Sequence, residues 1–132
     1  MDGLAVILVG VQAGLPDDVL REAARLARDL GGRLVCAHVD LNRYAVGEDP
    51  DGSVHSRPLD PDLPDQEDAG FDADLAAHID DVLADTGVSW TGRELAGDPA
   101  FALAHLADAL HARLIVVGTH EPGLRGGLRE FF

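Results

Sequence analysis

The sequence predicts an α/β fold, a doubly wound (Rossmann-like) open parallel sheet in three α/β/α layers. Short apolar runs rich in β-branched residues alternate with segments of helical period, in the order βαβ, long loop, αβαβ. A strand, a helix and a second strand follow one another within residues 4–39, and such units join parallel strands by right-handed crossovers. The length of 132 residues suits one domain, residues 1–132.

The first βαβ unit is the clearest pattern in the chain. The apolar run at residues 4–11 is bounded by glycines and predicts a strand buried on both faces. Residues 16–18, Pro-Asp-Asp, favour a helix start, and apolar residues then recur at helical spacing until Gly31 and Gly32 end the helix. A second buried strand is predicted at residues 34–39.

The middle of the chain predicts a long acidic surface loop at about residues 44–70. Asp, Pro and Gly dominate this segment, and its prolines argue against regular structure. A helix is predicted at residues 75–83, and a more exposed strand at residues 88–95 is expected at an edge of the sheet.

The last third predicts one more helix and one more strand. Asp98 and Pro99 favour a helix start, because the carboxylate caps free amides while proline takes the first helical position. Residues 114–118 predict a fourth buried strand, and a glycine-rich tail follows it. No internal repeat is present.

The charge balance excludes several classes of partner. The chain has 24 acids and 10 bases, a formal net charge of −14, so nucleic acid and anionic membranes repel it. Its apolar runs are too short to span a bilayer, and no basic segment precedes the first, which predicts a cytoplasmic protein. The single Cys36 cannot form an internal disulfide and is predicted to be a buried core residue. The spacing of the six histidines does not indicate a metal site. No arrangement of catalytic residues is evident from the sequence either.

Ligands of open α/β sheets bind beyond the carboxyl ends of the strands, where the winding direction reverses. The candidate segments are therefore residues 11–14, 39–40 and 118–127. Glycine in such loops lets backbone amides approach phosphate oxygens, although a sharp turn after a strand needs glycine in any case. At this point the glycines are consistent with either a phosphate-binding loop or an ordinary turn.

Four short motifs carry a family resemblance. They are ILVGV at residues 7–11, His38-Val39 at the end of the second strand, GDPA at residues 97–100 and LIVVGT at residues 114–119. With these motifs the chain resembles the universal stress protein family over essentially its whole length. The resemblance implies a doubly wound five-stranded sheet, dimers formed through the last strand, and one of two branches, of which one binds ATP and the other does not.

The ATP-binding branch implies particular site residues in this chain. Val11 matches the family position before an acid that approaches adenosine, but Gln12 stands in place of that acid. Val39 matches a position whose backbone meets the adenine edge. The resemblance places the phosphates of ATP, with Mg²⁺, on five backbone amides: Gly118, Thr119, Gly123, Gly126 and Gly127.

The phosphate loop departs from the family pattern. Glu121 occupies the position of the second glycine, and the closing Gly-Ser/Thr would fall just beyond Phe132. A missing last strand is therefore expected, with a homodimer or another protein chain covering the edge at residues 114–117.

The favoured functional interpretation is a universal stress protein, a non-catalytic stress-response regulator that binds ATP or another adenine nucleotide. The alternative is a nucleotide-free dimeric interaction module of the same family, with no cofactor. An ATP-dependent enzyme of the wider α/β group is disfavoured, because no Ser-Gly-Gly-x-Asp motif follows the first strand.

Overall fold

A parallel sheet and an antiparallel hairpin form the β-structure of the computed structural model, which describes residues 4–60 and 70–118. The elements, in chain order, are β1 (Val6–Gly10), α1 (Asp17–Asp29), β2 (Arg33–Asp40), β3 (Arg43–Glu48), β4 (Val54–Pro58), α2 (Ala73–Leu83), β5 (Trp90–Ala96), α3 (Pro99–Leu110) and β6 (Leu114–Val116).

The main sheet has the strand order β5–β2–β1–β6, and all three pairings are parallel. The chain moves outward from β1 to β2 and β5, then returns through α3 to place β6 on the other side of β1. The winding therefore reverses between β1 and β6. These features confirm the predicted α/β fold with a parallel sheet flanked by helices.

Alternating side chains of the sheet build two cores. Ile7 and Val9 of β1 pack with α1 and α2, whereas Val6 and Leu8 pack with α3. Ile7, Leu8 and Val9 are completely buried, since β1 has helices on both faces and strands on both sides. The near-continuous apolar sequence of β1 is the pattern that such a strand requires.

Aspartate side chains cap the N-termini of two of the three described helices, α2 and α3. The Asp72 carboxylate accepts a hydrogen bond from the Leu75 amide at 2.8 Å, and the Asp98 carboxylate accepts one from the Phe101 amide at 2.9 Å. The predicted start of α3 at Asp98 and Pro99 is thus confirmed. None of the described helices is long and apolar enough to cross a bilayer.

The structure confirms the prediction for one edge strand of the sheet and corrects it for the other. β5 is an edge strand, as expected. The prediction that residues 114–118 form a buried strand is wrong for its side chains, because Leu114 and Ile115 are 41% and 44% exposed. Within the described residues β6 pairs with β1 alone, so part of this short strand faces solvent.

The predicted loop at residues 44–70 is wrong in its first part, where β3 and β4 form an antiparallel hairpin. The Asp49 amide donates to the Ser53 carbonyl at 2.8 Å, and the Gly52 amide donates to the Asp49 carbonyl at 3.0 Å. Pro50 lies in the turn and Pro58 is the last residue of β4, so neither proline removes an internal ladder hydrogen bond. Residues 61–69 lie outside the described part of the chain.

Tertiary contacts hold the hairpin against the domain. Gly52 is buried, and a Cβ built on it would lie 2.7 Å from Cδ1 of the buried Leu106 on α3. The Arg93 guanidinium of β5 donates to the Ser53 hydroxyl at 2.9 Å. Within the hairpin, the buried Arg43 of β3 donates from Nε to the Ser56 hydroxyl of β4 at 2.7 Å. The hairpin is therefore an integral layer beside α3 and β5.

Replacing Gly52 with alanine tests this packing. We expect Gly52→Ala to lower the free energy of unfolding by about 1–2 kcal/mol beyond the backbone strain that alanine meets at a positive φ. The additional loss arises because the new methyl group overlaps the buried Leu106 side chain. Gly14→Ala is the matched control. Both glycines have a positive φ, +87° and +85°, but a Cβ on Gly14 would meet nothing within 4 Å. Urea denaturation, with hydrogen exchange of the β3 and β4 amides, measures the difference; equal losses for the two variants would contradict the packing.

Candidate functional site

A cavity of about 240 Å³ lies where the carboxyl ends of β1, β2 and β6 meet. This is the point of the sheet at which the winding direction reverses, where ligands of open α/β sheets bind. The parallel register sets the three strand ends side by side: Gly10 lies opposite Ala37 on one side, and Val9 lies opposite Val116 on the other.

The end of β1 forms the floor of this cavity. The Val11 amide continues the ladder to the Ala37 carbonyl at 2.8 Å, after which the chain turns, with the Leu15 amide donating to the Gln12 carbonyl at 3.1 Å. A Cβ on Gly10 would lie 3.2 Å from Leu103 and 3.3 Å from Val117, tighter than ordinary contact. Glycine at this position keeps the floor of the cavity open.

Four of the site residues predicted from the sequence line this single cavity. They are Val11, Gln12, Val39 and Gly118, which come from three different segments of the chain. Val11 is buried, whereas Gln12 is exposed and also lines a second cavity beside the first turn of α2. The remaining predicted residues lie outside the described part of the chain: Thr119, Gly123, Gly126 and Gly127.

His38, which lines the cavity, pairs with Glu94, and this pair was not identified from the sequence. His38 lies on β2 directly opposite Glu94 on β5, and its Nδ1 is 2.9 Å and 3.0 Å from the two carboxylate oxygens. Burial raises the pKa of Glu94; His38 opposes the shift, and the nearby Asp40 carboxylate adds to it. The cross-strand register brings these residues together, and no spacing in the sequence indicates that register.

The surface of the cavity combines apolar walls with hydrogen-bonding groups. Apolar walls come from Val11, Val39 and Leu103, and hydrogen-bonding groups come from Gln12, His38 and the backbone. In the residues the structure describes, no three His, Cys, Asp or Glu side chains cluster in a way that could hold a metal ion.

Cys36 has the buried position that the sequence predicted for it. Its side chain lies in the core beneath α1 and α2, and burial raises the pKa of its thiol to about 12. A thiol with this pKa is protonated at neutral pH, so Cys36 supplies packing and not a nucleophile.

The second cavity, of about 390 Å³, lies between the β1–α1 turn and the start of α2. Gln12 and Leu15 border both cavities. His78 of α2 lies 2.7 Å from the Asp17 carboxylate at the start of α1 and ties the two helices together beside this opening. The β1–α1 turn therefore separates the two cavities.

Comparison with known proteins identifies one family. Residues 5–132 match the sequence model of the universal stress protein family. No curated protein matches the chain significantly.

Solved structures share the fold. A universal stress protein from Archaeoglobus fulgidus is 20% identical, with a TM-score of 0.60 over 94% of this chain and 83% of that one. A structure of the universal stress protein from Archaeoglobus fulgidus in complex with dAMP is 20% identical, with a TM-score of 0.58 over 89% and 82% of the two chains. A member of the family from Burkholderia pseudomallei is 25% identical, with a TM-score of 0.52 over 88% and 82%.

The raised pKa of Glu94 predicts a pH effect on stability. Just above the ordinary value of 4.5, folded Glu94 retains a proton that the unfolded chain has lost. Its contribution to stability is therefore complete below that pH and falls as pH rises through the raised pKa. We expect the free energy of unfolding of the native protein, minus that of Glu94→Gln, to fall with increasing pH over this window in urea denaturation.

Glu22→Gln is the control for this pH experiment. A hydrogen bond from Arg25 lowers the pKa of Glu22, whose side chain is partly exposed, so its small contribution to stability is present above pH 4.5 and is lost as pH falls. The two differences should change with pH in opposite directions. A rising difference for Glu94→Gln would contradict the assigned burial effect.

Proposed function

The chain belongs to the universal stress protein family, and from this premise we propose that it binds an adenine nucleotide at the carboxyl ends of β1, β2 and β6 and acts as a non-catalytic stress-response regulator. One observation supports this most strongly. The fold gathers Val11, Gln12, Val39 and Gly118 around one cavity at the winding reversal, although they lie far apart in the sequence.

In this proposal the adenosine lies between the ends of β1 and β2, with its base in the cavity. Val11 and Val39 offer apolar surface to a purine, and the backbone beside Val39 offers hydrogen-bonding groups to its edge. A volume of about 240 Å³ is smaller than a typical pocket for a drug-sized ligand, so it suits a base and not a whole nucleotide. In this arrangement the phosphates extend toward Gly118 and the segment after it, with Mg²⁺ held mainly by phosphate oxygens.

Gln12 makes this site chemically different from one with an acid in the same place. A carboxamide donates and accepts hydrogen bonds, so it can still pair with a ribose hydroxyl. It is neutral and therefore lacks the stronger, charge-assisted hydrogen bond that a carboxylate would accept. The solved dAMP complex of the Archaeoglobus fulgidus relative supports nucleotide binding on this fold.

A nucleotide-free interaction module is the second candidate function. Leu114, Ile115 and Val117 are 41%, 44% and 45% exposed along one edge of the sheet. An apolar edge strand of this kind can pair with another chain. We propose a homodimer, or a complex with another protein, through this edge in either case. We also propose a cytoplasmic location, because the single cysteine Cys36 is a free thiol, as is usual in a reducing compartment.

Filling the cavity tests nucleotide binding. We expect Val117→Trp to weaken Mg-ATP binding at least about tenfold, since the indole would occupy the space that the Val117 side chain borders above Gly10. Ile115→Trp is the matched control, because Ile115 is equally exposed on the same edge but does not line the cavity. Calorimetric titration measures both; equal affinities for the two variants would place the nucleotide elsewhere.

The substitution Gln12→Asp separates the two candidate functions. If the native chain binds Mg-ATP, the new carboxylate should change the affinity by no more than about tenfold, because the cavity already binds the nucleotide. If the native chain remains empty at millimolar Mg-ATP and Gln12→Asp binds it, the native chain is a nucleotide-free member. Mass spectrometry of the supernatant after denaturation shows whether ATP co-purifies with either form.

A further inference from the structure

A cavity of about 470 Å³ shares no lining residue with the proposed nucleotide site. The β3–β4 hairpin forms one wall, the end of β5 forms the base, and the first two turns of α3 form the opposite wall. Contacts of Gly52 with Leu106 and of Ser53 with Arg93 fix the hairpin in this position. The cavity is thus a consequence of the docked hairpin.

The surface of this cavity is mainly apolar and partly aromatic. Val54, Leu95 and Leu106 line its inner part. Phe101 lies on its rim with 71% of its surface exposed, a high fraction for a large apolar side chain. The Phe101 ring stacks almost parallel to the His105 ring, at an interplanar angle of 7° and a centroid distance of 5.8 Å.

The charged groups of the cavity are acidic. Glu48 and Asp98 both line it, and no arginine does so among the described residues. Oε1 of Glu48 lies 2.5 Å from Nε2 of His105, whereas Oε2 has no hydrogen-bonding partner in the described part of the chain. Asp98 already accepts the Phe101 amide, which satisfies one of the free donors at the start of α3. An anion placed here would therefore face two carboxylates.

We propose that this cavity binds a small organic cation with an apolar body, such as an arylalkyl ammonium ion. The ammonium group pairs with the Glu48 carboxylate and lies near the face of the Phe101 ring, which attracts cations through its quadrupole. The apolar body fills the inner part against Val54 and Leu106. The acidic lining and the net charge of −14 favour this ligand over phosphates, which separates the cavity from the proposed nucleotide site.

The experiment uses three probes with the same phenylbutyl body: 4-phenylbutylamine, 4-phenylbutanol and 4-phenylbutyrate. Each is titrated into the full chain while backbone amide chemical shifts are followed. We expect the amine to bind at least about tenfold more tightly than the carboxylate, with the alcohol between them. The shift changes should lie in residues 44–54 and 95–106, and not at residues 10–12 and 37–39 around the nucleotide cavity.

Variants on the cavity surface test the assigned contacts. Glu48→Gln should weaken amine binding about five- to tenfold and leave alcohol binding unchanged. Phe101→Ala should weaken amine binding several-fold, and because this side chain is largely exposed the variant should fold normally. Asp108→Asn is the matched control, since it removes one exposed negative charge from the same helix outside the cavity; it should change affinity less than about twofold.

Three outcomes would overturn the proposal. The first is equal affinity for the amine and the carboxylate. The second is an equal loss in Glu48→Gln and Asp108→Asn, which would mean that net charge alone attracts the amine. The third is shift changes confined to the other cavities, or none at millimolar amine. None of these results bears on Mg-ATP binding, which the Val117→Trp comparison tests separately.

Discussion

Parallel pairing of β1 with β2 on one side and β6 on the other is the constraint on which the rest of the molecule depends. This pairing buries Ile7, Leu8 and Val9 completely. It also gives the sheet two apolar faces, which the helices cover. Because the three strands run in the same direction, their carboxyl ends meet at one edge, and the return of the chain through α3 makes that edge the winding reversal. The proposed nucleotide cavity is the space between those ends, so its position follows from hydrogen-bond register.

Two cavities of different character lie at the same edge of the domain. The cavity at the ends of β1, β2 and β6 is lined by Gln12, His38 and glycine backbone, whereas the cavity between the hairpin and α3 is mainly apolar and carries two carboxylates. Helix α3 borders both, through Leu103 in the first and Leu106 in the second. Leu103 and Leu106 are three residues apart and lie on the same face of α3, so ligands at the two sites would contact neighbouring parts of one helix.

The sequence predicts the elements whose signal is local. Continuous apolar runs located β1 and β2, and the capping chemistry of Asp98 located α3. The hairpin was missed because its prolines and acids suggested an open loop, although Asp49-Pro50-Asp51-Gly52 is also a sequence typical of a tight turn between strands. The hairpin packs on the domain through long-range features that no local pattern contains, such as the close approach of Gly52 to Leu106 and the hydrogen bond from Arg93 to Ser53. The pairing of His38 with Glu94 depends in the same way on cross-strand register.

A crystal structure of the chain grown with saturating Mg-ATP tests the central claim most directly. The account predicts a purine between Val11 and Val39, ribose within hydrogen-bonding distance of Gln12, and phosphates directed toward Gly118. A purine bound against the hairpin, or an empty cavity at the winding reversal at millimolar nucleotide, would contradict it. The second result would leave the fold and its apolar β6 edge in place and would assign the chain to the nucleotide-free interaction modules.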